Sequence, residues 1–254
     1  MDTVHIVRRA EPRLNDPVFV EGLPGVGNVG KLAVEHLIDE LDAEPLADIY
    51  CKDFPPQVFV QSDGTIKLVD NSLSFVKKGE KTDHDLILMT GDYQGLTSQG
   101  QYELADQILG LVTSFGAKRL FTMGGYGLGR LVPKPGVLGA ATDLETVKEM
   151  KALGVQFRED EPGGGIIGAS GLFLGLGKLR GLSGGCLMGE TSGYLVDPQS
   201  AQAVLTVLSK ALGLRIGFEE LEEKAREMDR IASQLKDIEK KGGERSSDDL
   251  RYIG

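Results

Sequence analysis

A glycine-rich stretch at residues 22–31 (GLPGVGNVGK) has the spacing most suggestive of chemistry in this sequence. It matches the dinucleotide-binding pattern G-x-G-x-x-G, and it matches the triphosphate-binding loop at every position except the last. That last position is Leu32, which has no hydroxyl group to hold Mg²⁺. Asp48 and Asp53 follow at about the separation at which a dinucleotide site needs an acidic residue for a ribose hydroxyl, so that interpretation stays open.

The stretch therefore has two interpretations. In the first, Asn28 and Lys31 belong to a ligand site, because the free N–H groups at the start of the helix that follows attract anions. In the second, the glycines only let a strand turn tightly into that helix. The missing hydroxyl group favours the structural turn.

Two later stretches also place polar side chains among glycines. Residues 124–130 (GGYGLGR), with Lys134 close behind, and residues 189–194 (GETSGY) each follow an apolar run that predicts a strand. Open α/β sheets bind ligands at the carboxyl ends of their strands, where Arg130 would hold an anion and Glu190 a nucleoside hydroxyl. The alternative is a subunit contact in which the glycines permit close packing and Arg130 pairs with Glu190.

The sequence offers little for catalysis. Its three histidines, His5, His36 and His84, have no metal-ligand spacing, and Cys51 and Cys186 form no C-x-x-C pair. We therefore expect no enzymatic activity, no metal and no cofactor.

Charge and hydropathy restrict the expected partners. The 254 residues have a formal net charge of -10, which disfavours nucleic acid because phosphate backbones require an excess of Lys and Arg. No run of eighteen apolar residues predicts a membrane span, and the first twenty residues do not resemble a signal segment. We expect a cytoplasmic protein whose partner has a neutral or basic protein surface.

Apolar periodicity predicts a three-layer α/β/α sandwich with a mostly parallel central sheet, formed by residues 1–216 as one core domain. Strands are expected over residues 4–7, 18–21, 49–53, 58–61, 66–69, 73–76, 85–89, 117–123 and 181–188. Helices are expected over residues 29–41, 98–115, 143–153, 168–179 and 199–212, with Asp143 and Asp197 as N-caps. Asp63 and Gly64 predict a tight turn that joins two strands in a hairpin.

The C-terminal part of the sequence is different in kind. Apolar residues at positions 218, 221, 225, 228, 232 and 235 form one narrow stripe on a charged helix expected over residues 217–241. This helix packs either on its own chain or on a neighbouring subunit. Residues 242–254 are charged and aperiodic and predict a flexible tail that finishes in Leu250, Tyr252, Ile253 and Gly254. The tail is either a docking peptide or a terminus without function.

Five strings in this order resemble the archaeal branch of the proteasome assembly chaperone family. They are residues 22–30 (GLPGVGNVG), 124–129 (GGYGLG), 139–143 (GAATD), 168–175 (GASGLFLG) and 186–197 (CLMGETSGYLVD). The resemblance covers about residues 15–212. It implies a core similar to the purine nucleoside phosphorylase-like fold, no established enzymatic activity, a homo-oligomer, and binding to α-subunits of the proteasome core particle.

The resemblance also implies a role for the tail. Archaeal members of the family are associated with a C-terminal hydrophobic-tyrosine-any motif that enters pockets between adjacent α-subunits. There the tyrosine and its apolar neighbour fill the cleft, and the terminal carboxylate pairs with a lysine. In this sequence Tyr252 is third from the end instead of second, and Arg251 precedes it. Leu250, Tyr252, Ile253 and Gly254 are the expected partner-binding residues, in a shifted register.

These observations lead to one hypothesis and one alternative. The hypothesis is a non-enzymatic, ATP-independent assembly chaperone that binds α-subunits of the proteasome core particle. The alternative is a nucleoside- or nucleotide-binding protein, or an enzyme, that uses Asn28, Lys31, Arg130 and Glu190 around the strand ends.

Overall fold

The computed structural model describes residues 3–158, 164–228 and 230–231. The described strands are β1 (Val4–Arg8), β2 (Val18–Glu21), β3 (Glu44–Cys51), β4 (Val58–Val60), β5 (Ile66–Leu68), β6 (Asn71–Val76), β7 (Leu86–Gly91), β8 (Arg119–Gly127), β9 (Val137–Ala141) and β10 (Ser183–Thr191). The described helices are α1 (Val29–Glu40), α2 (Ser98–Ser114), α3 (Leu144–Ala152), α4 (Ala169–Leu179) and α5 (Pro198–Leu212). Residues 219–228 are also helical.

Eight of these strands form one sheet in the order β1-β3-β6-β7-β2-β8-β10-β9. Strands β7, β2, β8 and β10 at its centre are parallel to one another, and the flanking pairings are antiparallel. Every residue of β2 and β7 is buried, as in parallel strands covered on both faces.

Helices cover both faces of the sheet. One face packs against α2 and α4, where Phe19 meets Phe173 edge to face with ring centroids 5.5 Å apart. The other face packs against α1, α3 and α5, through residues such as Val34 and Leu205. The predicted α/β/α sandwich is therefore confirmed, with a sheet whose parallel part is its centre.

The predicted helix caps are also confirmed. The carboxylate of Asp143 accepts a hydrogen bond of 2.8 Å from the N–H of Thr146, and that of Asp197 accepts one of 2.9 Å from Ser200. These side chains satisfy N–H groups that the first turn of a helix leaves without partners.

The structure differs from the sequence-based prediction on both sides of the sheet: β3 begins at Glu44 instead of residue 49, and the edge strand β9 is additional. Strand β9 was not predicted, because its sequence Val-Leu-Gly-Ala-Ala has few of the β-branched and aromatic residues that favour strands. Strands β8 and β10 run on to Gly127 and Thr191. The strands were expected to end at residues 123 and 188, so the first part of each later glycine-containing stretch is strand.

The described part of the C-terminal helix packs on its own chain. Leu221 is 1% exposed and belongs to the core between the sheet and helices α1 and α5. Phe218, just before this helix, stacks on the ring of His36 at a centroid distance of 6.0 Å. Residue 229 and residues 232–254 lie outside the described residues, so the division into residues 1–216, 217–241 and 242–254 stays a prediction.

Candidate functional site

The glycine-rich stretch after β2 is a close crossing of two backbone segments. A Cβ atom on Gly22 would lie 2.1 Å from the carbonyl oxygen of Gly30, and one on Gly30 would lie 2.1 Å from that of Met123. Real Cβ atoms never approach so closely, so only glycine lets α1 pack this tightly on β2 and β8. This geometry supports the structural-turn interpretation.

The same stretch also contacts the ends of the neighbouring strands. Gly27 and Asn28 are both left-handed, with φ angles of 63° and 50°. A Cβ atom on Gly27 would lie 2.8 Å from Oγ1 of Thr191, and one on Gly125 would lie 2.2 Å from the carbonyl oxygen of Val26. Backbone and Thr191 therefore occupy the space beside these glycines, on the side of β8 and β10.

The acidic residues considered for a dinucleotide site are held elsewhere. Strands β6 and β7 separate β3 from β2, whereas a dinucleotide site needs the acidic residue on an adjacent strand. Asp48 of β3 accepts a hydrogen bond of 2.7 Å from Nε of Arg9. Asp53 accepts one of 2.8 Å from the backbone N–H of Thr97.

Lys31, one of the predicted site residues, bridges two parts of its own chain. Its Nζ atom donates a hydrogen bond of 2.8 Å to the carbonyl oxygen of Gly91 at the end of β7. The same atom lies 3.1 Å from Oε1 of Glu35, one turn along α1. Asn28 lies at the N-cap of α1, where its side chain makes no capping hydrogen bond.

Glu190 lies at the carboxyl end of β10, at the same edge of the sheet as the glycine-rich stretch after β2, and it contacts an arginine that the sequence did not single out. Oε1 of Glu190 lies 3.8 Å from a guanidinium nitrogen of Arg158, and Oε2 accepts a hydrogen bond of 3.1 Å from the N–H of Gly136. The guanidinium of Arg158 stacks 4.7 Å from the ring centroid of Tyr126. Arg130 is exposed on the segment after β8. The structure thus joins Glu190 to Arg158 and Tyr126.

A buried carboxyl group that sequence reasoning missed lies at the centre of the sheet. Glu21, the last residue of β2, is 0% exposed. Its Oε1 accepts a hydrogen bond of 3.1 Å from the N–H of Leu23, and its Oε2 lies 3.0 Å from Oγ of Ser170 on α4. In register beside it on β8 and β10 are Thr122 and Cys186, both fully buried. The sequence signal was a single acid at the end of an otherwise apolar strand.

Burial changes the proton affinities of this cluster. It raises the pKa of Glu21 to about 7, although the hydrogen bonds from Ser170 and Leu23 act in the opposite direction. Burial also raises the pKa of Cys186 to about 12, so this thiol is not an activated nucleophile. Glu21, Thr122 and Cys186 are all fully buried, so the cluster exposes no reactive group.

Metal binding and nucleophilic catalysis each require a particular arrangement of side chains. Within residues 3–158, 164–228 and 230–231, no group of three or more His, Cys, Asp and Glu is arranged to hold a metal ion. Residues 181–185 (GLSGG) have the spacing of a hydrolase nucleophile, but Ser183 begins strand β10 and does not stand at a strand-to-helix turn. No helix in the described part of the chain is long and apolar enough to cross a membrane.

Leu250, Tyr252, Ile253 and Gly254 all lie outside the described residues, as does the whole of the predicted tail.

Comparisons with known proteins extend along nearly all of the chain. The model of the PAC2 family matches residues 19–236. An uncharacterized protein of Methanocaldococcus jannaschii, MJ1210, is 41% identical over 254 residues, which covers 98% of this chain and 96% of that protein.

Two crystal structures of Pyrococcus furiosus proteins share the fold. PbaB, an archaeal proteasome activator, has a TM-score of 0.88 and 40% identity, covering 93% of this chain and 100% of PbaB. PbaA, an archaeal homolog of proteasome-assembly chaperone, has a TM-score of 0.76 and 27% identity, covering 99% of this chain and 100% of PbaA. This chain therefore belongs to the PAC2 family, whose members resemble proteasome assembly chaperones.

Proposed function

We propose that this protein is a non-enzymatic, ATP-independent factor that binds the α-subunits of the proteasome core particle. The observation that carries the proposal is the likeness to PbaB, an archaeal proteasome activator, at 40% identity over 93% of this chain. PbaA, an archaeal homolog of proteasome-assembly chaperone, supports the same proposal at a lower sequence identity of 27%. A role in core-particle assembly or activation follows by analogy with these two proteins.

The described geometry supports a protein partner over a small ligand. The glycine-rich stretch after β2 packs against backbone, and Lys31 and Glu190 are engaged with groups of their own chain. The net charge of -10 would speed encounter with basic subunit surfaces, and added salt would slow it.

We assign docking to Leu250, Tyr252, Ile253 and Gly254. Tyrosine and leucine provide large contact areas with little side-chain entropy to lose, as in other short docking peptides. A cytoplasmic homo-oligomer would present several such tails at once, and their high effective concentration would let individually weak contacts bind jointly.

The direct test is a pull-down of purified α-subunits with the intact chain and with a version that ends at Asp249. Both forms are sized by light scattering. We expect the truncated form to lose binding while its oligomer persists. Equal binding by the two forms would overturn the docking role of the tail, and no binding by either would overturn the proposed partner.

A second variant tests the register of the tail. Replacement Arg251→Leu together with deletion of Gly254 places an apolar residue before a tyrosine that is second from the end. If the tail docks through this motif, the variant binds α-subunits more tightly than the intact chain. Unchanged affinity would mean that Tyr252 docks differently.

Two different assays distinguish a role in core-particle assembly from a role in activation. An activator raises peptide hydrolysis by fully assembled core particles, whereas an assembly chaperone speeds the formation of particles from separate subunits. We expect at least one of these effects to depend on residues 250–254.

A further inference from the structure

The hairpin of β4 and β5 projects from the body with one wholly apolar face. The register pairs Val58 with Leu68 and Val60 with Ile66, and paired residues of a strand ladder lie on the same side. In the first pair Val58 is 44% and Leu68 48% exposed. In the second, Val60 is 74% and Ile66 70% exposed. Residues 56–68 are exposed throughout.

The opposite face of the hairpin is turned towards the body of its own chain. Nζ of Lys67 lies 3.1 Å from a carboxylate oxygen of Asp92, and Nε2 of Gln57 donates a hydrogen bond of 2.7 Å to the hydroxyl of Tyr93. Gln57 and Lys67 lie on the side of Phe59. The aliphatic face therefore points away from the body, where the described residues leave it exposed.

An uncharged groove of matching chemistry runs between α2 and α4. It has a volume of about 620 Å³. Its lining is uncharged and includes Gln101, Tyr102, Leu172, Gly175, Leu176 and Leu179. Gly175 leaves its middle open, since a Cβ atom there would have no heavy atom within 4 Å. Tyr102 and Leu179 are 54% and 83% exposed on its rim.

Two properties favour a second copy of this chain as the occupant. A projecting apolar face is complementary to a recessed uncharged groove, and both surfaces are present on the same molecule. Two bodies with a net charge of -10 each also repel, so they associate best through surfaces without charge. A two-stranded hairpin is marginally stable in water alone, and burial of its apolar face would stabilise it.

We propose that the β4–β5 hairpin of one copy inserts its aliphatic face into the α2–α4 groove of a second copy. This inference rests on the homo-oligomer of the proposed function and names the surfaces that build it. Because the two surfaces differ, the contact is heterologous and repeats from copy to copy, which closes a ring when the rotation between copies allows it.

Crosslinking between two single-cysteine variants tests this contact. The native Cys51 and Cys186 are buried, so Val60→Cys and Gly175→Cys provide the accessible thiols. A short bismaleimide added to an equimolar mixture should give a covalent dimer, whereas either variant alone and a mixture of Val60→Cys with Leu144→Cys should not. Leu144 is 78% exposed on α3, away from the groove. A dimer from Val60→Cys alone would show hairpin-to-hairpin pairing and overturn the proposal.

Light scattering provides the second readout. Ile66→Lys places a charge on the hairpin face and should reduce the particle to monomers, while the matched control Leu144→Lys should leave its mass unchanged. Persistence of the oligomer in Ile66→Lys, or a monomeric intact chain, would overturn the proposal. No proteasome subunit is present in either experiment, so its failure is distinct from failure of α-subunit binding.

Discussion

The glycine-rich stretch after β2 and the β4–β5 hairpin lie at the same edge of the sheet, yet their surroundings are opposite. In the first, Gly22 and Gly30 lie so close to other backbone atoms that no side chain fits. In the second, residues 56–68 are all exposed. Open α/β sheets usually bind small ligands at this edge. Here backbone atoms fill the space around Gly22 and Gly30, and the apolar β4–β5 hairpin projects beside them. That arrangement suits contact with another protein.

The largest expected effect tests the close packing. Gly30→Ala places a Cβ atom 2.1 Å from the carbonyl oxygen of Met123, and rigid strand backbone cannot move aside cheaply. We expect a loss of about 4 kcal/mol in the free energy of unfolding, measured by urea denaturation. The control Gly175→Ala meets nothing within 4 Å and should stabilise its helix by about 0.5 to 1 kcal/mol. Equal stability of the two variants would mean that the stretch can open.

The second effect concerns the carboxyl group buried beneath this stretch. The folded state raises the pKa of Glu21 from 4.5 to about 7, so between these values it keeps a proton that the unfolded state has lost. The free energy of unfolding therefore falls as the pH rises from 4.5 to about 7, by about 3 kcal/mol in all. Glu21→Gln should remove this contribution and be the more stable protein at pH 8. If the urea midpoints of the two proteins changed with pH in the same way, Glu21 would not be the source of this pH dependence.

The third effect is local to the hairpin. Gly64 has a φ angle of 84° in the turn, where a side chain is strained but meets no neighbour. Gly64→Ala should cost about 1 kcal/mol, and Gly64→Asn should cost less because asparagine tolerates this conformation. The measurement is hydrogen exchange of the backbone amide of Gln61. This N–H donates a hydrogen bond of 2.8 Å to the carbonyl oxygen of Thr65. We expect about fivefold faster exchange in the alanine variant. Equal exchange in both variants would mean that the turn is already open.

The smallest expected effect is no effect at all. Nucleosides, nucleotides and phosphate should leave the melting temperature unchanged, because Gly22, Gly27 and Gly30 of the glycine-rich stretch pack against backbone and Thr191. A ligand present at a hundred times its dissociation constant would add about 2.7 kcal/mol, which a thermal-shift assay detects readily. A shift abolished by Lys31→Ala or Glu190→Ala would restore the nucleotide-binding alternative and break the contrast between the two regions.

Local patterns predicted much of the fold but little of the site. The apolar strands, the caps Asp143 and Asp197, and the turn at Gly64 all follow from short-range chemistry that the sequence displays. The pairing of Glu190 with Arg158 does not, because Arg158 follows β9 and α3 in the chain and β9 has few strand-favouring residues.

The close crossing and the exposed hairpin depend on long-range packing. Whether Gly30 meets a phosphate or the backbone of Met123 is decided by how α1 packs on β8, which glycine spacing alone does not encode. The hairpin was predicted from its turn, but its exposure depends on which elements the rest of the chain places around it.

Binding to proteasome α-subunits through the tail is the activity that we propose for this protein. The most direct measurement is a titration of purified α-subunits with the intact chain, with Tyr252→Ala and with the control Ser247→Ala. We predict saturable binding that Tyr252→Ala weakens at least about tenfold, as expected for an anchoring aromatic residue, and that Ser247→Ala leaves unchanged. Absence of binding by the intact chain, or equal affinities for all three proteins, would contradict the claim.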